Sequence, residues 1–397
     1  MPGPLDGFRV IDFTTMIAGP YGTMILADQG ADVIKVEAPR QGDHVRRAGY
    51  AQSEFSAAFL NNNRNKRCIA VDVKSPAGRD VILRLAVSAD VFLQNFRPGV
   101  MARLGIDYDD LKAVNPKIVY VSMSGWGEKG PFAHKPVYDP IIQALSGLAS
   151  VQGGSDEARP RLIRTILPDK LTGITAAQAV SSALLARERT GEGQHVRLSM
   201  LDAVVAFMWS SDMGSQTFVG REVDVARAAT FIDLIYETKS GYISVSVMND
   251  RQWDGLCHAV GHPEWLEDER FKTPGGRDRN ADERLELTQG ALLERPAEEW
   301  LTILEDAGVP CAPVLRRSEM VKHPQVEATG IVMELDHPDA GRIRQTRNAA
   351  RFEKTPTEMR LGAPHHGQHT AEVLGELGYG DAEVASLAAE GVVGIPA

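Results

Sequence analysis

With 397 residues, 43% hydrophobic and 24% charged, the chain is long enough for two domains with separate cores, which excludes a small stapled module. A formal net charge of -10 argues against a general affinity for nucleic acid or anionic membrane, so an anionic ligand would need a local basic pocket. Cys68, Cys257 and Cys311 are too dispersed for a disulfide framework or a metal site, no apolar segment approaches the ~20 residues of a membrane span, and Met1 to Asp6 lacks a basic, apolar leader, so a cytoplasmic protein is expected.

Phe8-Arg9-Val10-Ile11-Asp12-Phe13 reads as the first strand and Asp32-Val33-Ile34-Lys35-Val36-Glu37 as the second. Between them Ala18-Gly19-Pro20-Tyr21-Gly22 turns into a helix that Gly30 ends. Arg67 to Val73 reads as a third strand, Ser75 with Pro76 as a helix start, and Asp90 to Phe96 as a fourth strand. A helix over Tyr108 to Val114 then leads into the strand Ile118 to Met123. Asp139-Pro140 opens a helix with Ile141, Ile142, Leu145 and Leu148 at helical spacing. A long helix rich in alanine and serine follows Leu167-Pro168-Asp169 and runs to about Arg189.

Past about residue 215 the composition changes. Leu234 to Thr238 and Tyr242 to Val247 flank Lys239-Ser240-Gly241 as a hairpin, followed by a helix from about Arg251 to Val260 and a charged helical stretch to about Leu301. Gly308 to Val314 interrupts this stretch, and the last part, from about His337, ends in helices that should fold back on the first domain. The pattern predicts an α/β protein: residues 1–215 with 331–397 form a large domain around a mainly parallel sheet, and 216–330 a smaller α+β domain.

The loop after the first strand lacks the third glycine of a dinucleotide fingerprint, and neither a P-loop nor a His-Glu-x-x-His site occurs. Asn63-Arg64-Asn65-Lys66-Arg67, Asn95-Phe96-Arg97-Pro98-Gly99 and Arg103 suggest a phosphate-bearing ligand, since loops at the C-terminal ends of parallel strands form the crevice of open α/β sheets. Among the ten histidines, His195 and His258 read as structural, while His365, His366 and His369 could cluster. From its local sequence Asp169 reads first as a helix N-cap. A carboxylate there can also act as a covalent nucleophile.

Taken together, these segments resemble the class III CoA-transferases, the family of formyl-CoA transferase, carnitine CoA-transferase and α-methylacyl-CoA racemase. The similarity rests on Pro4 to Gly7, Asp32 to Glu37, Asn63 to Arg67, Asn95 to Gly99, Ser124 to Gly127, Pro168-Asp169, Thr190 to Gln194, Asn249 to Trp253, Gly308 to Val314 and Gly367 to Thr370. It implies a Rossmann-like large domain, an inserted small domain and an interlocked homodimer. It further implies that Asp169 attacks an acyl-CoA thioester to give an anhydride and then an aspartyl-CoA thioester, with no metal. Coenzyme A would contact Met16, Ile17, Arg40, Asn95, Phe96, Arg97 and Arg103, and Tyr138 would line the acyl end.

Ile17 stands where formyl-CoA transferase has glutamine and Ala38 where an arginine is often found, which implies a less polar acyl pocket. Arg227-Ala228-Ala229-Thr230 replaces that enzyme's glycine-rich flap. Tyr138 takes the place of the histidine that the racemase branch uses for proton transfer, and Asn249 or Asp250 falls near its glutamate. A CoA-transferase is therefore expected, with a 2-methylacyl-CoA racemase or a CoA-binding scaffold without turnover as alternatives.

Overall fold

Short runs of largely apolar residues, buried on both faces except in the edge strand Gln194–Ser199, make the central sheet of the larger unit. In the computed structural model, which describes residues 3–52, 54–154, 158–221 and 234–396, these are β1 (Arg9–Phe13), β2 (Asp32–Glu37), β3 (Lys66–Val71), β4 (Val91–Gln94), β5 (Val119–Ser124) and β6 (Gln194–Ser199). They lie side by side in the order 3-2-1-4-5-6, every pairing parallel. Val393–Gly394 adds an antiparallel strand on the outer edge of β3. This is the order of doubly wound nucleotide-binding sheets, and its topological switch point lies between β1 and β4.

Alternation along each strand serves two layers. Val10, Val33, Val91, Val119 and Val121 pack with helix α1 (Ala18–Asp28) and the long helix Leu167–Thr190. On the opposite face Ile11, Ile34, Ile69, Phe92 and Tyr120 meet α2 (Pro76–Val87) and the helices Thr370–Glu376 and Asp381–Ala389. Ser75 caps α2 as its sequence indicates, accepting a hydrogen bond from the Gly78 amide, with Pro76 in the first turn.

The chain separates into two units, Met1–Ala226 with Gly330–Ala397, and Arg227–Thr329. The second has its own core around Trp253, Phe271 and Trp300, beneath a three-stranded antiparallel sheet of Cys311–Pro313, Tyr242–Val245 and Ile235–Glu237. Its hairpin closes through the Thr238 amide on the Gly241 carbonyl, 3.0 Å apart.

Two differences from the sequence reading have clear causes. The stretch Ile141 to Leu148 is not one helix: α3 (Asp139–Leu145) ends before Gly147, whose φ of 86° starts the separate helix Leu148–Gly153. Val332–His337 and Gly341–Thr346 form a hairpin that the apolar pattern does not reveal, because charged side chains such as Glu334, Arg342 and Arg344 pair across its open face.

Candidate active site

At the switch point, the loop from β1 into α1 is pinned atom by atom. Asn95, just after β4, accepts from the Thr15 amide at 3.0 Å and donates to the Thr15 carbonyl at 2.8 Å. The Thr14 carbonyl accepts from Lys35 Nζ at 2.9 Å, and the Met16 amide donates to Asp43 at 3.2 Å. Beneath the loop lie fully buried charges: Lys35 pairs with Asp43 at 3.0 Å and Lys66 with Asp12 at 2.9 Å. The two lysines hold the Asp12 carboxyl down at about 2 despite its burial, while burial and the neighbouring Lys35 ammonium bring Lys66 down to about 8.

Helix α1 then crosses the long helix, hereafter α4 (Leu167–Thr190), at a point made of glycine. A Cβ on Gly173 would stand 2.7 Å from the Ala18 carbonyl, and one on Gly22 would stand 2.8 Å from the Gly173 carbonyl. The crossing brings the start of α1 against the start of α4, where Asp169 is partly buried. Asp169 is not the N-cap that its local sequence suggests. Ile166 holds that position without a side-chain cap, and Asp169 sits in the first turn, its carboxylate favoured by the nearby Ala18 amide.

The buried Asp139, first residue of α3, stands beside it. One Asp139 oxygen accepts from the Asp169 amide at 3.2 Å, and the other accepts from Gln143 at 2.6 Å. Burial first, and the Asp139 charge second, push the Asp169 carboxyl up to about 6, against the pull of the Ala18 amide. Asp139 was missed as a site residue because its sequence, Asp-Pro before an apolar helix, reads as a helix start and nothing more.

Asp169 opens onto a cavity of 650 Å³. Among the residues expected to contact coenzyme A, Met16, Ile17, Asn95, Phe96, Arg97 and Tyr138 line it. Arg40, after β2, and Arg103, in the helix Val100–Leu104, are exposed and lie outside that lining. His44 and Lys135, which the sequence reading did not single out, add nitrogen groups to the wall, and Trp126 and Met200 add apolar surface. Arg227 to Thr230, where the flap is expected, lie outside the described residues.

The basic run that leads into β3, Arg64 to Arg67, is not a phosphate site. Arg64 is buried against Asp28 at 2.6 Å, Lys66 is spent on Asp12, and Arg67 bonds Asp32, Glu372 and Glu376. The fold places each cation beside an acid from another element, which linear spacing cannot show. The three histidines near the C-terminus also separate: His365 joins Glu54 and Asp339, His366 meets the Ala38 carbonyl, and His369 accepts from the Cys68 amide. His195 is held structurally, its Nε2 2.8 Å from Ser122 Oγ and its ring between Tyr108 and Tyr120.

The arrangement places a basic carboxylate, a backbone N–H donor and cationic groups around one cavity, a setting for acyl transfer at a carbonyl. Comparison with known proteins points the same way. The family described as CoA-transferase family III matches residues 5–370. A succinyl-CoA:glutarate CoA-transferase of Mus musculus is 34% identical over 400 residues, covering 98% of this chain and 90% of that protein. An acetyl-CoA:oxalate CoA-transferase of Acetobacter aceti is 37% identical over 338 residues, covering 84% of this chain and 86% of that protein. The crystal structure of Rv3272 from M. tuberculosis superposes with a TM-score of 0.83 at 32% identity, covering 93% of this chain and 99% of that one. A sheet wound in this order, a carboxylate at its switch point and a likeness that spans almost the whole length make the chain a member of CoA-transferase family III.

Proposed function

We propose that this acyl-CoA:carboxylate CoA-transferase works through covalent intermediates on Asp169. The Asp169 carboxylate attacks the thioester carbonyl of the donor, and the C–S bond breaks to release CoA thiolate and leave a mixed anhydride. The thiolate attacks the aspartyl carbonyl, expelling the donor acid and forming an aspartyl-CoA thioester. The acceptor carboxylate attacks that thioester, again releasing thiolate, which attacks the acceptor's carbonyl in the new anhydride. New acyl-CoA leaves and the Asp169 carboxylate is restored. Each attack develops charge on an oxygen, where a fixed amide donor such as that of Ala18 is worth a few kcal/mol, about 3.

One observation carries the reading: the Asp169 carboxyl, raised to about 6, faces a 650 Å³ cavity at the switch point. Coenzyme A is assigned to Met16, Ile17, Asn95, Phe96 and Arg97, with Arg40 and Arg103 reaching its phosphates from outside the cavity and Tyr138 at the acyl end. An interlocked homodimer in the cytoplasm belongs to the same proposal. Succinyl-CoA and acetyl-CoA as donors, with glutarate and oxalate as acceptors, are the first substrates to test, because relatives are named for them.

Donor acyl-CoA with hydroxylamine or borohydride is expected to mark Asp169, and Asp169→Ala is expected to abolish CoA exchange. Normal exchange by that variant would overturn the proposal. Deuterium entering the α-carbon without an acceptor acid would instead identify a racemase.

A further inference from the structure

Met16 is one of only two non-glycine residues with positive φ among the described residues, at 70°. A left-handed conformation is unfavourable for a methionine side chain and persists only where the surroundings impose it. Here the surroundings are visible. Asp43 Oδ1 accepts from the Met16 amide at 3.2 Å and from the Val45 amide at 3.1 Å, while Asp43 Oδ2 pairs with the fully buried Lys35 ammonium at 3.0 Å. Lys35 also holds the Thr14 carbonyl at 2.9 Å. Two residues beyond Met16, Ala18 lines the same cavity as Asp169, and its amide draws that carboxyl's pKa down.

We infer that Asp43, charged against Lys35, is a positioning residue: it locks Met16 in the left-handed conformation and so aims the Ala18 amide at Asp169. A buried ion pair is costly to desolvate and is poor evidence of stability alone. Its position under a strained turn that feeds the reactive carboxylate gives it a use. Asp43 touches no reacting atom; it acts through the backbone of residues 16 to 18. The inference rests on Asp169 as nucleophile for its consequence in catalysis, but its geometric claim stands separately.

The test removes the pair as a unit. Lys35→Met/Asp43→Leu takes away one charge of each sign, so the net field at Asp169 is preserved to first order and any change there reports geometry. Asp169 is also faced by Asp139 from α3, with His44, Arg97, Lys135 and Tyr138 around the cavity, and these are unchanged in the variant. The readout is the titration of the Asp169 carboxyl carbon by NMR, assigned with Asp169→Asn. The variant should titrate at higher pH than the parent, having lost the pull of the Ala18 amide, and kcat for CoA exchange should fall at least about tenfold with KM for acyl-CoA held within about twofold. Met16→Pro, which deletes the amide donor and forbids positive φ, should move both quantities the same way, and it decides the matter if the double variant does not fold. An unchanged titration and kcat in either folded variant would overturn the inference. A shifted titration together with normal exchange by Asp169→Ala would instead uphold the geometry and sink the nucleophile.

Discussion

As the proposed nucleophile, Asp169 would have to be ionised, yet burial and Asp139 both favour its protonated form. With the carboxyl raised from 3.8 to about 6, its contribution to folding is complete below about pH 4 and lost as pH rises through 6, because the folded state must then hold an unfavourable charge. Asp169→Asn should therefore gain stability on the order of 2 to 3 kcal/mol at pH 7 to 8 and almost nothing at pH 4, measured by urea unfolding at both values. CoA exchange by the parent should rise with pH on a limb near 6. Asp139→Asn, which keeps an acceptor for the Asp169 amide but removes the like charge, should move that limb down by about one pH unit. Asp169 could be singled out from the sequence because the segment around it resembles a family motif. Asp139 could not, because its importance depends on a contact between two helix starts 30 residues apart. For Arg64, Lys66 and Arg67 the sequence shows the cations but not the acids from other elements that neutralise them.

At the scale of elements, the shape of the candidate site depends on how closely α1 and α4 approach. Gly173→Ala would drive its Cβ to 2.7 Å from the Ala18 carbonyl and push apart the two helix ends that create the site. A cost of about 1 to 3 kcal/mol and a marked loss of CoA exchange are expected, with circular dichroism showing unchanged helix content. Gly290→Ala is the contrasting case. It lies within the helix Ala281–Leu292 of the small unit, with nothing within 4 Å of a new Cβ, and should stabilise that unit by about 0.5 to 1 kcal/mol in thermal unfolding. The inner sheet strands are legible in sequence because strands covered on both faces become continuous apolar runs, whereas the polar edge strand Gln194–Ser199 offers no such run. The hairpin of Val332 to Thr346 is not, because its exposed side is an ion-pair ladder that resembles a charged loop. Alanine and serine after Asp169 signal close packing, but only the fold reveals α1 as the partner.

At the scale of the whole molecule, the central sheet is built from the first 200 residues except for one strand. Val393–Gly394 covers the outer edge of β3, with Val393 opposite Val71 and the Asp72 amide bonded to the Val392 carbonyl at 2.7 Å. Val393→Asp would bury a carboxylate there at a cost on the order of 3 kcal/mol, and amide exchange at Ala70 and Val71 should accelerate well before that of β1 or β4. The strand also has a consequence for the order of synthesis. A ribosome completes β3 more than 300 residues before it makes the strand that pairs with it, and translates all of Arg227–Thr329 in between. A nascent chain therefore carries a bare sheet edge through most of its production, open to any other unpaired strand it meets. Stalled chains that end before residue 391 should be cut by protease near β3 while the already emerged small unit resists, and release of the full length should remove the difference.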